Sequence, residues 1–266
     1  MSFILKKQNN KLIFKDLGGC EQRNPSTFWC IQKADEKYNW KDFKEIKIFT
    51  EDYERNNNNL TYSNRRSYQN LVPDFNFHAW PAVGVTDYSE TVELIHKLGL
   101  NKPEIEKVGW IGNLKTNTKR KVMYTIGQNN KELFDFISIT WTNKLPCANE
   151  KYLSMPDLVK KYQFLIDIEG NGYSGRLKYL LWSHRPLLLV DRPHKEFFSQ
   201  YLEEWKHYIP VKRDLSDLIK KTNWCIKNYS KALEIAENAY QFSLEYLTRE
   251  SCYKQWDLII SKFCIK

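Results

Sequence analysis

Short apolar blocks alternate with amphipathic stretches along most of the chain. Residues 11–15, 45–50, 75–80, 107–111 and 134–140 read as strands, as do 164–168, 187–190 and 208–211. Helical spacing runs over 91–98, between Ser89 and Gly99, over 118–127, and over 156–161, which Ser154 opens. It recurs over 176–182, 194–205 and 214–226, the last behind Asp214 as cap, and the strongly amphipathic segments 230–247 and 250–263 close the chain. Residues 1–35 otherwise offer a Gly-Gly turn and polar material, and 56–70 a polar loop. Strands alternating with helices predict an α/β fold with parallel strands, in two small Rossmann-like halves.

One unit is sharper than the rest. The apolar run 164–168 ends at Glu169 in Gly170-Asn171-Gly172-Tyr173-Ser174-Gly175, and Arg176 then opens a helix. Glycines at such a turn let backbone N–H groups approach an anion, and a helix N-terminus adds partial positive charge. Ser174 and Arg176 stand where a phosphate would lie, Lys178 faces either it or solvent, and a phosphorylated ligand is expected. The loop also spells G-x-G-x-x-G, with Asp191 about 20 residues on, where a dinucleotide's ribose would be held. A nicotinamide- or flavin-dependent oxidoreductase is therefore an alternative. Against it, the motif lies past the middle of the chain, and an arginine in the first helical turn suits a leaving diphosphate better.

Composition narrows the field only a little. The 266 residues are 42% hydrophobic and 15% aromatic, enough for a sizeable core. The formal net charge of +9 fits an anionic partner, but the charges are interspersed and no nucleic-acid-binding motif is present. No stretch reads as a signal peptide or membrane span, so a cytoplasmic protein without an integral membrane segment is expected. Cys20, Cys30, Cys147, Cys225, Cys252 and Cys264 show no metal-ligand spacing, and free thiols are expected. A disulfide between Cys252 and an N-terminal cysteine would need an oxidising compartment.

Residues 169–181, EGNGYSGRLKYLL, and 196–218, EFFSQYLEEWKHYIPVKRDLSDL, resemble the C-terminal half of glycosyltransferase family 90, which contains protein O-glucosyltransferases and capsule- and lipopolysaccharide-modifying transferases. The resemblance continues more thinly through 71–84, LVPDFNFHAWPAVG, then VGWIGN and FTEDY, covering about 40–263. It implies transfer of a sugar from a UDP-sugar, in a cleft between two Rossmann-like (GT-B-like) halves, with no metal or resident cofactor. Residues 1–150 would then form the acceptor-side half and 151–266 the nucleotide-sugar-binding half. The acceptor would be a glycan, protein or lipid-linked hydroxyl.

The resemblance also suggests roles. Arg176 would hold the donor diphosphate, with Ser174 and the loop amides completing a cradle. Asp52, in Thr-Glu-Asp-Tyr, would be the general base that inversion requires, Glu51 beside it facing away and Asp74 being next in line. His78 and Trp80 would contact a sugar. Where the family has an arginine this chain has Ile111, so Asn113 with Arg120 or Lys115 would supply the missing phosphate contact. Asp191 and Arg192 could reach the nucleoside. The substitution at Ile111 also leaves open a catalytically inactive member acting as a binding protein.

Overall fold

A computed structural model describes residues 1–19, 23–53, 59–141 and 145–264. Cys20 and most of the Asn56–Asn59 run lie outside the described residues. The chain begins with a hairpin of β1 (Ser2–Gln8) and β2 (Lys11–Asp16). Asn9 and Asn10 turn it with φ of 52° and 60°, and Asp42 accepts both of their amides. Left-handed backbone at two successive residues is what a tight hairpin needs, and asparagine tolerates it. Helix α1 (Arg23–Tyr38) follows, then β3 (Phe43–Phe49), antiparallel to β1, and the short parallel β4 (Leu60–Thr61). The sheet order is β2-β1-β3-β4.

After α2 (Tyr88–Gly99) comes a second sheet of β5 (Ile105–Gly112), β6 (Phe134–Ser138), β7 (Tyr162–Asp167), β8 (Leu187–Val190) and β9 (Ile209–Val211). Its connections carry α3 (Thr118–Asn129), α4 (Met155–Lys161) and α5 (Leu177–Leu180). Every pair is parallel, in the order β6-β5-β7-β8-β9. Three helices end the described chain: α6 (Leu218–Lys227), α7 (Tyr229–Tyr246) and α8 (Arg249–Ile260).

The parallel strands are buried on both faces, as crossover helices require. Val108, Trp110, Phe164, Ile166, Leu188 and Val190 point to one face, under Met123, Leu218, Cys225 and Ile235. The intervening Ile111, Leu165, Leu187 and Leu189 point to the other, against Leu158, Val159 and Leu180. That second face joins the same core as Phe3, Leu5, Ile46 and Ile48 of the first sheet. Helix α8 returns to lie on α1, so the closing role expected of the C-terminal helices is met there. Cys30 and Cys252 meet in that contact as free, fully buried thiols, and burial, then the Cys30 neighbour, pushes the Cys252 thiol well up.

The α/β class is as expected, but the two sheets are unalike: the parallel one is Rossmann-like, the first largely antiparallel. β5 and β6 precede residue 150 yet belong to the parallel sheet. Residues 75–80, expected as a strand, form a 3-10 turn over Phe75–Phe77, because the Asp74 carboxylate accepts the Asn76 amide and caps it. Residues 194–205, expected as a helix, hold only a 3-10 turn at Phe197–Tyr201, and Trp205 sits at φ 62°. The helix expected from 214 starts at Leu218, because Leu215 adopts φ 65° and Asp214 caps a turn instead.

Candidate active site

The chain runs from β5 to β6 on one side, then crosses back past β5 to β7. Such a reversal leaves a crevice at the C-terminal ends of the flanking strands. A cavity of about 420 Å³ opens there, between the loops that follow β5 and β7 and the Arg23, Asp52 and Phe75–Trp80 regions beside the first sheet.

Glycines let the two sides meet. A Cβ on Gly172 would lie 1.7 Å from the Asp52 carbonyl oxygen, and one on Gly175 would lie 2.7 Å from Asn76 Nδ2. The Tyr173 amide donates to that Asp52 carbonyl at 3.3 Å. Gly172 and Gly175 therefore serve close packing of the loop, and Gly172 does not line the cavity. Gly172→Ala should force the loop off the Asp52 segment and cost about 1–3 kcal/mol, as overpacking does. Gly170→Ala, whose nearest neighbour would stand at 3.4 Å, is the control. An unchanged melting temperature for Gly172→Ala beside that control would show the contact to be unimportant.

Two neighbouring guanidiniums line the cavity. Arg176, at the start of α5, makes no ion pair or side-chain hydrogen bond among the described residues. Arg120 on α3 donates to the backbone carbonyls of Glu169 at 3.0 Å, Asn113 at 3.4 Å and Ile168 at 3.5 Å. It thereby ties the loop after β5 to the loop after β7. Burial, then the neighbouring Arg176 charge, pulls its pKa down to about 10. Two adjacent cations, with no carboxylate bonded to either among the described residues, form a site for an anion. Because α5 has only four residues, the helix dipole adds little, and the charge rests on the arginines.

The cavity wall also carries an acid, Asp52. Asp52 follows β3 with its side chain 26% exposed, Oδ1 at 2.7 Å from Arg23 Nη2. Asn171 Nδ2 approaches Oδ2 at 3.4 Å. Glu51 faces away: it is buried and pairs with the Met1 amine at 2.6 Å. Trp80 and the half-exposed Trp141 add aromatic wall.

Other expected residues fall elsewhere. Asn113, Lys115 and Ile111 line the cavity, but Asn113 Oδ1 is taken by the Lys115 amide at 2.8 Å. Ser174 lines it too, yet its hydroxyl donates to Asp167 at 2.7 Å, and Arg192 closes that buried network on Asp167 at 2.7 Å. Arg192 is thus committed inside the fold, while Asp191 is exposed beside Lys195. Lys178 meets neither phosphate nor solvent: fully buried, it bridges Asp74 and Glu196 at 3.0 Å each. Asp74 is held by Lys178 and by Asn76 Nδ2, so it does not serve as a cavity acid. Burial pushes the Glu196 carboxyl up to about 7, although Lys178 pulls the other way. His78 is outside the cavity: it stacks on Trp29 at 4.3 Å, with Nδ1 at 3.1 Å from Ser26. Arg23 and Asn76, which the sequence did not single out, are both in the wall.

The model of glycosyl transferase family 90 matches residues 39–264. The chain belongs to that family. An uncharacterized protein of Invertebrate iridescent virus 3 (035R) is 32% identical over 152 residues, 51% of this chain and 14% of that protein. Human protein O-glucosyltransferase 3 is 32% identical over 103 residues, 39% of this chain and 20% of its own length. The matches thus span a small part of these relatives. Among solved structures, that of Anabaena Alr3699/HepE in complex with UDP and glucose is similar, at 13% identity and a TM-score of 0.44, over 65% of this chain and 52% of that one. Every residue of the cavity wall lies within the family match except Arg23. Among the described residues, no helix is long and apolar enough to cross a membrane, and no three metal-ligating side chains converge.

Proposed function

We propose that this family 90 chain transfers a hexose or pentose from a UDP-sugar to a hydroxyl of a glycan, protein or lipid-linked acceptor. The observation carrying this reading is the pair Arg120 and Arg176, to which no carboxylate is bonded among the described residues and which share one cavity with Asp52. The diphosphate would lie against the two guanidiniums, and the sugar would extend towards Trp80 and Asp52. The acceptor oxygen attacks the anomeric carbon, the bond to the diphosphate breaks, and Asp52 takes the acceptor's proton. UDP leaves with its charge held by the arginines. Acid and leaving group on opposite sides of the sugar give inversion. The guanidiniums supply the charge that a divalent cation supplies elsewhere, so no metal is required.

UDP should raise the melting temperature, in EDTA as well as in Mn²⁺. At about 100 times its dissociation constant the gain is about 2.7 kcal/mol. A thermal-shift series checks this: no response to any nucleoside diphosphate at millimolar concentration removes the donor site, and a response that needs Mn²⁺ removes the metal-free reading. A shift with NAD(H) in place of UDP favours the oxidoreductase. UDP binding with neither hydrolysis nor transfer identifies an inactive binder.

A further inference from the structure

We infer that Arg23 is a positioning residue for Asp52, contributed by the N-terminal segment that lies outside the family match. This rests on the reading of Asp52 as the base. Arg23 opens α1 and makes two contacts with the same strand exit: Nη1 donates to the Thr50 carbonyl at 2.9 Å, and Nη2 lies 2.7 Å from Asp52 Oδ1. Its guanidinium also lies over the Phe75 ring, 5.3 Å from the centroid, so it is held from three sides. The neighbouring Asn24 accepts the Thr50 hydroxyl at 2.9 Å, locking α1 to the residue two before the acid.

The consequence is an asymmetric carboxylate. Oδ1 is engaged by a charged donor, whereas among the described residues Oδ2 has only the long approach of the neutral Asn171 amide. Oδ2 is therefore the oxygen left to receive an acceptor's proton, and its direction is set by the two-point grip of Arg23 on Thr50 and Oδ1. A planar guanidinium suits this because it presents two donors at fixed separation. The Asn171 contact and the Tyr173 amide bond to the Asp52 carbonyl tie the same acid to the donor loop. A base pinned from both sides keeps its geometry while the acceptor exchanges, and small misplacement of such a group is costly in rate.

Among the described residues, the charged and titratable groups facing Asp52 are Arg23 from α1, Arg120 from α3 and Tyr173 from the loop after β7. Removing Arg23 takes away the cation in contact. The test compares Arg23→Met and Arg23→Lys with the unaltered chain, measuring kcat and UDP affinity. In Arg23→Met, kcat should fall by up to about 10²-fold with UDP affinity unchanged. Arg23→Lys should restore only part of kcat, since a single nitrogen does not span both Thr50 and Asp52. Wild-type kcat in a folded Arg23→Met overturns the inference. If that variant does not fold, full kcat in Arg23→Lys overturns it. Wild-type transfer by Asp52→Asn removes the base assignment, and this inference falls with it. An inert Asp52→Asn beside a fully active Arg23→Met removes the inference alone.

Discussion

Arg176→Ala should bind UDP weakly and transfer sugar about 10²–10³-fold more slowly while keeping its melting temperature. The arginine has no carboxylate or side-chain hydrogen-bond partner to abandon among the described residues, so its removal leaves no buried charge stranded in the empty site. It also relieves the neighbouring Arg120, whose pKa its charge depresses. The folded state without ligand should therefore be as stable or slightly more so. With donor present the balance reverses, because the charge growing on the departing diphosphate then meets one guanidinium instead of two. Arg120→Ala is a different case: it breaks three bonds to the Glu169, Asn113 and Ile168 carbonyls, so stability and binding should fall together. Thermal denaturation with and without UDP, set beside single-turnover transfer, separates the two. Wild-type turnover in Arg176→Ala would mean that its side chain points to solvent during the reaction.

The parallel sheet was legible because buried parallel strands are written as continuous apolar runs. The block 187–190 is β8 to the residue, and 164–168 overlaps β7 closely. The first sheet was harder for an equally physical reason. Helix α1 buries Asn24, Ser26 and Thr27 with Cys30 and Ile31, so its inner face does not read as an apolar stripe, and Arg23 went unseen with it. Its hairpin is turned by Asn9-Asn10 without a glycine. Within the site, the Gly-rich loop and Arg176 were found where a cavity opens, but the reasons for two of the glycines were not. Gly172 and Gly175 answer to the Asp52 carbonyl and Asn76, residues about 100 or more positions away. The same long range governs Lys178, which local spacing left facing either phosphate or solvent and which Asp74, 104 residues distant, draws into the interior. Spacing finds the element that offers a side chain. Which partner then claims it depends on contacts that no local window contains.

Asp52→Asn should lose transfer by about 10²–10⁴-fold with UDP affinity intact. The asparagine has the same shape, and its carbonyl oxygen can still accept from Arg23, so the strand exit and the donor loop packed on it should stay in place. What disappears is the negatively charged oxygen that receives the acceptor's proton. Glu51→Gln makes the contrast. That side chain is buried against the Met1 amine, away from the cavity, so its loss should appear as lower stability with kcat little changed. Asp74→Asn belongs with Glu51→Gln: it weakens the Lys178 pair and should lower the melting temperature before it touches chemistry. The decisive measurement is transfer rate for the three variants beside UDP affinity, with the anomeric configuration of the product. A dead Glu51→Gln that remains folded would move the base by one residue, and a dead but stable Asp74→Asn would move it into the buried triad. Retained configuration would exclude a single displacement whichever carboxylate proved essential. Inverted product made by the wild type, and lost in Asp52→Asn alone, is the result that Asp52 sharing one cavity with the two guanidiniums leads us to expect.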